Sequence, residues 1–234
     1  MKAKIKDKEE VAEGTMRIVF DLMGQKIDFE AGQYILITIP NPPYIDEDGN
    51  KRHFSISSPP EDKDIVITTR IRPSAFKRSL AEIPVGFEVE VGPIEGEFVL
   101  PENTNRPLVF LAGGIGITPY ISMLGHVRSK KLPYKITLIY SNKDRQSTAY
   151  MKELETLTKE LADFKTVLTM TEDPEWPGEE RRVDKEFILN YIPDPHSRIY
   201  YISGPPNFVE GMRQVLEEAG VENSNINLER FTGY

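Results

Sequence analysis

A glycine-rich loop is the first feature of the sequence that could do chemistry. It follows an apolar run, residues 107–113, and comprises Gly113, Gly114, Ile115, Gly116, Ile117, Thr118 and Pro119. Glycines between a buried strand and a helix leave backbone N–H groups free to bind a phosphate. Proline is favoured in the first helical turn because its missing N–H would be unpaired there. Since Pro119 takes the third glycine position of the dinucleotide pattern, the loop indicates either nucleotide binding or only a tight turn.

The end of the next apolar run bears on which dinucleotide would bind. A carboxylate there suits the free 2′-hydroxyl of NAD, whereas a basic residue suits the 2′-phosphate of NADP. The sequence at this point reads Ser141, Asn142, Lys143, Asp144, Arg145. Because no carboxylate stands at the strand end and two cations follow it, the pattern favours NADPH. The alternative is a solvated surface loop.

A four-residue stretch in the first half of the chain has the residue types of a cofactor site. Arg52, His53, Phe54 and Ser55 lie in a predicted strand. Arginine suits a pyrophosphate through paired, charge-assisted hydrogen bonds, an aromatic ring two residues on can lie flat against a planar ring, and a neighbouring hydroxyl can hydrogen-bond a ring nitrogen. The alternative is structural, with Phe54 in the core and Arg52 at its rim.

A second position suited to phosphate follows Pro73 and Ser74, where a strand ends and a helix begins. The first turn of that helix would expose the amides of residues 75–77, and Lys77 adds a positive charge. An ordinary capped helix with basic surface residues is the alternative.

Two patterns of elements would position these residues. The first hundred residues are short runs rich in Val, Ile, Thr and Phe, broken by turn residues, which is typical of a small barrel or sandwich. From residue 107 onward, apolar strands alternate with helices, which indicates a doubly wound parallel sheet. The predicted strands are 15–22, 34–40, 53–57, 64–72, 87–93, 107–113, 135–142, 164–170, 198–204 and 225–231. The predicted helices are 74–83 with Ser74 as N-cap, 119–130, 149–161, 183–192 and 207–220.

Composition excludes several classes of protein and site. The 234 residues, 39% of them hydrophobic, can bury a substantial core, and a formal net charge of −8 disfavours general nucleic-acid binding, which needs a basic face. The absence of cysteine rules out disulfides, cysteine-ligated clusters and a cysteine nucleophile. Three scattered histidines suggest no metal site. Without an apolar signal segment or a run long enough to span a membrane, we expect a cytoplasmic protein.

Five motifs, in order, resemble those of the ferredoxin–NADP reductase-like flavin oxidoreductases. Residues 52–55 resemble the flavin motif Arg-x-Tyr-Ser/Thr, with phenylalanine in the tyrosine position. Residues 92–98 resemble a Gly-Pro-x-Gly-x-Phe element with one residue inserted, and residues 113–119 match Gly-Gly-x-Gly-x-Thr-Pro. Residues 203–208 resemble a Cys-Gly-Pro-Pro turn, and residues 229–231 a terminal Glu-x-Phe/Tyr. The resemblance spans nearly the whole chain.

The resemblance implies an antiparallel Greek-key flavin-binding barrel, residues 1–102, followed by an NAD(P)-binding α/β domain, residues 103–234. Arg52 would hold the flavin phosphate, Phe54 would pack on the isoalloxazine, and Ser55 would lie near its reactive nitrogen. The other expected flavin-site residues are His53, Thr69, Arg70, Ile71, Phe76 and Lys77.

The implied dinucleotide site comprises Gly113, Gly114, Gly116, Ile117, Thr118, Pro119, Ser141, Asn142, Lys143, Arg145, Gly204 and Pro205. Glu229 would lie near the nicotinamide, where it could order the carboxamide or relay a proton. Phe231 would cover the flavin, with Tyr234 close by. Ser203 stands where the family has a cysteine, and its hydroxyl lacks the soft contact of a thiol. Ser55, Ser203, Glu229 and Phe231 are therefore the expected catalytic residues.

The expected cofactors are FAD with NADP or NAD, and the expected activity is hydride transfer between NAD(P)H and flavin. Since no cysteine is present for an iron–sulfur domain, electrons would pass to or from a separate carrier protein such as ferredoxin or flavodoxin. Two alternatives stay open: a reductase that treats free flavin as its substrate, and a non-catalytic flavin-bound electron-transfer subunit of a larger complex. The anion-binding position at residues 74–77 favours tight binding of whole FAD.

Overall fold

The structure, a computed structural model, describes residues 1–102 and 105–231. The chain clusters into two units: Met1–Leu100 with Thr118–Ser129, and Pro101–Ile117 with Lys130–Tyr234. The expected assignment of flavin binding to residues 1–102 and of NAD(P) binding to residues 103–234 stays a prediction. Tyr234, expected beside Phe231, lies outside the described residues.

An antiparallel sheet of six strands forms most of the first unit. The strands are β1 (Lys2–Ala12), β2 (Thr15–Asp21), β3 (Tyr34–Thr38), β4 (Lys51–Ser55), β5 (Ile65–Arg70) and β6 (Glu88–Glu95). Their spatial order is β4–β3–β6–β1–β2–β5. The edge strands β4 and β5 meet through a bridge between Ile56 and Ile67 and a 2.8 Å hydrogen bond from Ser57 N to Val66 O. The sheet therefore closes on itself, which confirms the predicted antiparallel barrel.

Helix α1 (Ala75–Glu82) packs its apolar side into the barrel core, where Phe76 and Leu80 are buried. Ser74 caps the helix as predicted, because its side chain accepts a 3.3 Å hydrogen bond from Lys77 N. At the other end, Lys8 Nζ donates to three carbonyl groups of the last turn at 3.2, 2.6 and 2.6 Å. Both ends of α1 are thus fixed, and so is the position of its first turn.

Helix α2 (Thr118–Lys130) follows the glycine loop in the chain and clusters with the barrel unit. Ser122 Oγ donates a buried 2.7 Å hydrogen bond to Ser58 O. The rings of Phe98 and Tyr120 lie 5.8 Å apart, centroid to centroid. Helix α2 is therefore a packed element of this unit.

A parallel sheet of five strands forms the second unit. The strands are β7 (Leu108–Gly113), β8 (Ile136–Asn142), β9 (Phe164–Met170), β10 (Ile199–Gly204) and β11 (Ile226–Arg230), with helices α3 (Met151–Glu160), α4 (Lys185–Tyr191) and α5 (Pro206–Glu218) between them. Their spatial order is β11–β10–β7–β8–β9, and all of these neighbouring strands pair in parallel. The predicted doubly wound α/β unit is confirmed.

The direction of strand addition reverses at β7. Strands β8 and β9 lie on one side of it, and β10 and β11 lie on the other. In open α/β sheets, ligands bind outside the carboxyl ends of the strands at such a switch point. Because Ala112 and Ser203 are register partners, the motifs that follow β7 and β10 emerge side by side.

Candidate functional site

The glycine loop after β7 is a short 3-10 turn, Gly114–Ile117. Gly114 has φ 54°, in the left-handed region that favours glycine. A Cβ on Gly116 would lie 2.2 Å from the carbonyl oxygen of Ser203 and 2.7 Å from Cα of Gly204. Neither distance is compatible with a side chain, so Gly116 lets two backbone segments touch at the switch point.

Two further glycines make room for the ring of Phe208. A Cβ on Gly113 would lie 2.6 Å from that ring, and one on Gly204 would lie 3.0 Å from it. Gly204 itself has φ 156° and leads through Pro205 into α5. Phe231 N donates a 3.0 Å hydrogen bond to Gly204 O, which places the expected terminal aromatic beside this turn.

Ser203 and Glu229 are register partners at the carboxyl ends of β10 and β11. Ser203 is fully buried, and its Oγ has no hydrogen-bond partner among the described residues. Burial also raises the pKa of Glu229 to about 7. A buried hydroxyl without a partner costs about 1–3 kcal/mol. The pair therefore fits a ligand group that can both donate and accept, such as a carboxamide.

The predicted residues at the end of β8 lie further along the same sheet edge. Ser141 is the register partner of Gly113. Asn142 is 6% exposed, and neither side-chain amide atom has a hydrogen-bond partner among the described residues. Lys143 and Arg145 are ion-paired with Glu172 and Asp173 of the segment that follows β9. Their expected role at a 2′-phosphate stays a prediction.

On the barrel, Arg52 is held by backbone oxygens. Its Nη1 donates 2.7 Å hydrogen bonds to Asp48 O and Lys51 O, and its Cζ lies 5.5 Å from the ring centroid of Phe76. Its buried Nη2 lies 3.2 Å from Asp48 Oδ2 but makes no hydrogen bond within the described part of the chain. The guanidinium is thus fixed in place, with one nitrogen that is ion-paired but makes no hydrogen bond within the described residues.

Positive charge is concentrated around Arg52. Burial, with the nearby cations Arg72 and Arg52, lowers the pKa of Lys77 to about 8. A phosphate placed here would relieve the mutual repulsion of the three cations and could use the amides at the start of α1. The residues therefore fit the phosphates of a flavin nucleotide.

Most of the remaining residues of the expected flavin site lie in β4, in β5 or directly after β5. Phe54 is buried in the barrel core, with its ring 5.9 Å from that of Phe76, which agrees with the structural alternative. Ser55 and Thr69 are buried at the ends of β4 and β5, and Arg70 and Ile71 follow. His53 points to the opposite face and meets the Tyr34 ring edge-on at 5.3 Å. Contact of these side chains with a flavin stays a prediction.

Residues 110–214 match the family model of the oxidoreductase NAD-binding domain. The whole chain is also similar to two solved structures. One is the FAD/NAD-binding domain of nitric oxide dioxygenase from Vibrio cholerae, with a TM-score of 0.85, 20% identity and coverage of 98% of both chains. The other is a ferredoxin–NADP⁺ reductase from Neisseria gonorrhoeae with bound FAD and NADP, with a TM-score of 0.81, 20% identity and coverage of 98% of both chains. The chain therefore has the two-unit fold of the ferredoxin–NADP reductase-like oxidoreductases, and its second unit carries the oxidoreductase NAD-binding domain.

Curated relatives of this reductase-like chain are longer than it is. Reductase component 1 of terephthalate 1,2-dioxygenase from Comamonas is 25% identical over 213 residues, which cover 89% of this chain and 61% of the relative. The chain spans about half to three-fifths of the length of the first relatives it matches. None of the helices in residues 1–102 and 105–231 is long and apolar enough to cross a membrane.

Sequence reasoning missed Asp46 and Asp48 in this reductase-like chain. Asp46 Oδ2 accepts a 3.0 Å hydrogen bond from Ala75 N, at the start of α1, and Asp46 Oδ1 lies 3.6 Å from Arg52 Nη2. One carboxylate thus meets the same two groups that a flavin phosphate would meet. The available signal was the acidic run at residues 46–48, close before Arg52.

Glu229 should give nucleotide binding a pH dependence. Since burial stabilises its neutral form, the carboxyl is protonated below pH 7 and anionic above it. We expect the affinity for NADH to change with a midpoint near pH 7, and Glu229→Gln to remove that change. Calorimetric titrations between pH 5.5 and 8.5 measure this. ADP-ribose, which lacks the nicotinamide, is the control; a midpoint that persists in Glu229→Gln would exclude Glu229 from the nicotinamide site.

The same group affects folding stability in a defined direction. The unfolded carboxyl loses its proton near its ordinary pKa of 4.5, whereas the folded one keeps it until about pH 7. The contribution of Glu229 to the free energy of unfolding therefore falls as pH rises from about 4.5 to 7 and is constant above. Urea unfolding at pH 5 and pH 8 should show a smaller pH difference in Glu229→Gln than in the wild type.

Proposed function

We propose that the chain is an NAD(P)H-dependent flavoprotein reductase that binds FAD on its barrel and a nicotinamide dinucleotide at the carboxyl edge of its parallel sheet. The observation that carries this proposal is the switch point, where the glycine loop touches the Ser203–Gly204 backbone beside Glu229. The relatives' names, a dioxygenase reductase component and a ferredoxin–NADP⁺ reductase, support the same reaction class.

Each part of the site has a task in this reaction. Arg52, Lys77 and the first amides of α1 hold the flavin phosphates by charge and hydrogen bonds. The loop at Gly114–Ile117 receives the dinucleotide pyrophosphate. Ser203 Oγ and the Glu229 carboxyl orient the nicotinamide carboxamide, and Glu229 can hold or release a proton near neutral pH. A bound flavin supplies the ability to accept a hydride and to release single electrons.

The electron acceptor we propose is a separate one-electron carrier protein, such as a ferredoxin or a flavodoxin. The support is the similarity to a reductase component and to a ferredoxin–NADP⁺ reductase. A second candidate is reduction of free flavin as a substrate. It is favoured by Asp46 and Asp48, whose carboxylates lie where flavin phosphates would bind and so oppose tight retention.

Flavin content and reduction test the proposal directly. The purified full-length protein should be yellow, or become so when FAD is added, and should lose its visible flavin absorbance anaerobically when NADH or NADPH is added. Retention of FAD through gel filtration supports the carrier-linked reductase, whereas loss of flavin with rapid turnover of added flavin supports the second candidate. A protein that binds flavin but is reduced by neither nucleotide would refute the proposed activity.

A further inference from the structure

The segment after β9 holds Arg145 in a two-point ion pair. Arg145 Nε donates to Asp173 Oδ2 at 2.7 Å, and Nη2 donates to Asp173 Oδ1 at 3.2 Å. Arg145 N also donates to Asp173 Oδ2 at 3.2 Å. The Asp173 side chain is only 10% exposed, and the guanidinium lowers the pKa of its carboxyl. Arg145 is therefore engaged by a fixed carboxylate.

Backbone hydrogen bonds fix this segment along the end of β8. Thr171 N donates to Asn142 O at 2.9 Å, and Glu172 N donates to Lys143 O at 2.7 Å. Lys143 Nζ lies 3.6 Å from Glu172 Oε2, and Glu175 Oε2 lies 3.5 Å from Arg145 Nη2. We call Glu172, Asp173 and Glu175 the acidic clasp. Its carboxylates face the cations because the main chain places them there.

Charge at this edge disfavours a phosphate. The acidic clasp brings three carboxylates against two cations, Lys143 and Arg145. A 2′-phosphate carries roughly −1.5 to −2 charges at pH 7. To bind the two cations it would have to displace Asp173 and approach two further carboxylates, Glu172 and Glu175, whereas a neutral hydroxyl meets no such opposition.

The buried amide of Asn142 points to the same ligand. Its Oδ1 and Nδ2 have no hydrogen-bond partner among the described residues, although the residue is 6% exposed. A ribose with two free hydroxyls can both donate to Oδ1 and accept from Nδ2, whereas a phosphate dianion only accepts. The two free hydroxyls of an unphosphorylated ribose can therefore satisfy both amide atoms.

We propose that the acidic clasp makes this chain select NADH over NADPH, with Asn142 as the residue that hydrogen-bonds the adenosine ribose. This rests on the proposed dinucleotide site at the sheet edge. It also reverses the NADPH preference that Lys143 and Arg145 indicate in the sequence, because both cations are already paired.

Two nucleotides that differ only in the 2′-phosphate test the proposal without relying on flavin or turnover. Calorimetric titration of the purified full chain should give at least about tenfold tighter binding of 5′-AMP than of 2′,5′-ADP. In the variant Glu172→Gln, Asp173→Asn, Glu175→Gln, the affinity for 2′,5′-ADP should rise at least about tenfold while that for 5′-AMP changes little. The matched control is Glu155→Gln, Glu160→Gln, Glu218→Gln, which removes three carboxylates from α3 and α5 and so changes the net charge as much as the clasp variant does. It should leave the ratio of the affinities for 5′-AMP and 2′,5′-ADP unchanged.

A second variant keeps the test decisive if the triple variant does not fold. Lys143→Gln, Arg145→Gln should leave the affinity for 2′,5′-ADP within about twofold of the wild type, and a loss of several-fold would overturn the proposal. Equal or tighter wild-type binding of 2′,5′-ADP would also overturn it. If neither nucleotide binds the wild type at millimolar concentration, the dinucleotide site itself is refuted, which is a different failure from a wrong preference.

Discussion

A side chain at position 116 is expected to weaken nicotinamide-nucleotide binding by about 5- to 150-fold. In Gly116→Ala, the new Cβ would lie 2.2 Å from Ser203 O and 2.5 Å from its carbonyl carbon. Both are backbone atoms of a buried strand, so the clash can be relieved only by separating the loop from the turn. Overpacking of this kind costs about 1–3 kcal/mol or more, and each 1.4 kcal/mol is tenfold in affinity.

The measurement is a titration with NADH beside a thermal unfolding scan. Gly211→Ala in α5 is the matched control, because a Cβ there meets nothing within 4 Å. It should stabilise the helix by about 0.5–1 kcal/mol and leave binding intact. Wild-type affinity and stability in Gly116→Ala would show that the loop and the turn do not touch as the structure describes.

Loss of the Arg52 side chain should reduce flavin binding by about 10- to 150-fold. A hydrogen bond to a charged group contributes about 1.5–3 kcal/mol, and Arg52 is oriented by two carbonyl groups while its buried Nη2 makes no hydrogen bond among the described residues. Arg52→Lys keeps the charge but lacks the planar guanidinium. Its affinity for flavin should therefore lie between those of the wild type and Arg52→Ala. Flavin content after gel filtration and FAD titration of the stripped protein measure the effect.

The neighbouring carboxylates separate this role from a structural one. If Arg52 binds phosphate, Asp46→Asn with Asp48→Asn should tighten flavin binding, because those carboxylates compete for the guanidinium and for Ala75 N. If Arg52 only fastens residues 46–48 to β4, the same double variant should weaken flavin binding as Arg52→Ala does. The decisive result is therefore weaker flavin binding in Arg52→Ala together with tighter flavin binding in the Asp46→Asn, Asp48→Asn variant.

Much of the fold could be predicted because local patterns and packing agree. The apolar runs at 107–113 and 164–170 match β7 and β9 within one residue, and the Ser74 cap fixes the start of α1. Strand β1 was missed because its residues are mostly charged. Only its Ala3 and Ile5 are fully buried, yet backbone pairing with β2 and β6 holds it within the sheet.

Sequence motifs were enough to select the residues of the candidate site, but they did not predict the contacts that other parts of the chain make with those residues. Gly116 was predicted to be a phosphate-loop glycine, and that role stays a prediction, whereas its contact with Ser203 joins segments far apart in the chain and leaves no local signal. The acidic clasp likewise meets Lys143 and Arg145 only because β9 lies beside β8. A motif indicates the chemistry available to a short segment, whereas the contacts between that segment and distant parts of the chain depend on the order of the strands.

The position of β7 at the centre of its sheet has a consequence for biosynthesis. All six residues of β7 are buried, and one of its two edges is completed only by β10, which the ribosome makes after β8, α3, β9 and α4. Until then a nascent chain carries an apolar strand with an open row of N–H and C=O groups, the type of edge that templates aggregation. The seam between β7 and β10, where we propose that the dinucleotide binds, therefore closes late in translation, after β8 and β9 have been made and before β11 is added.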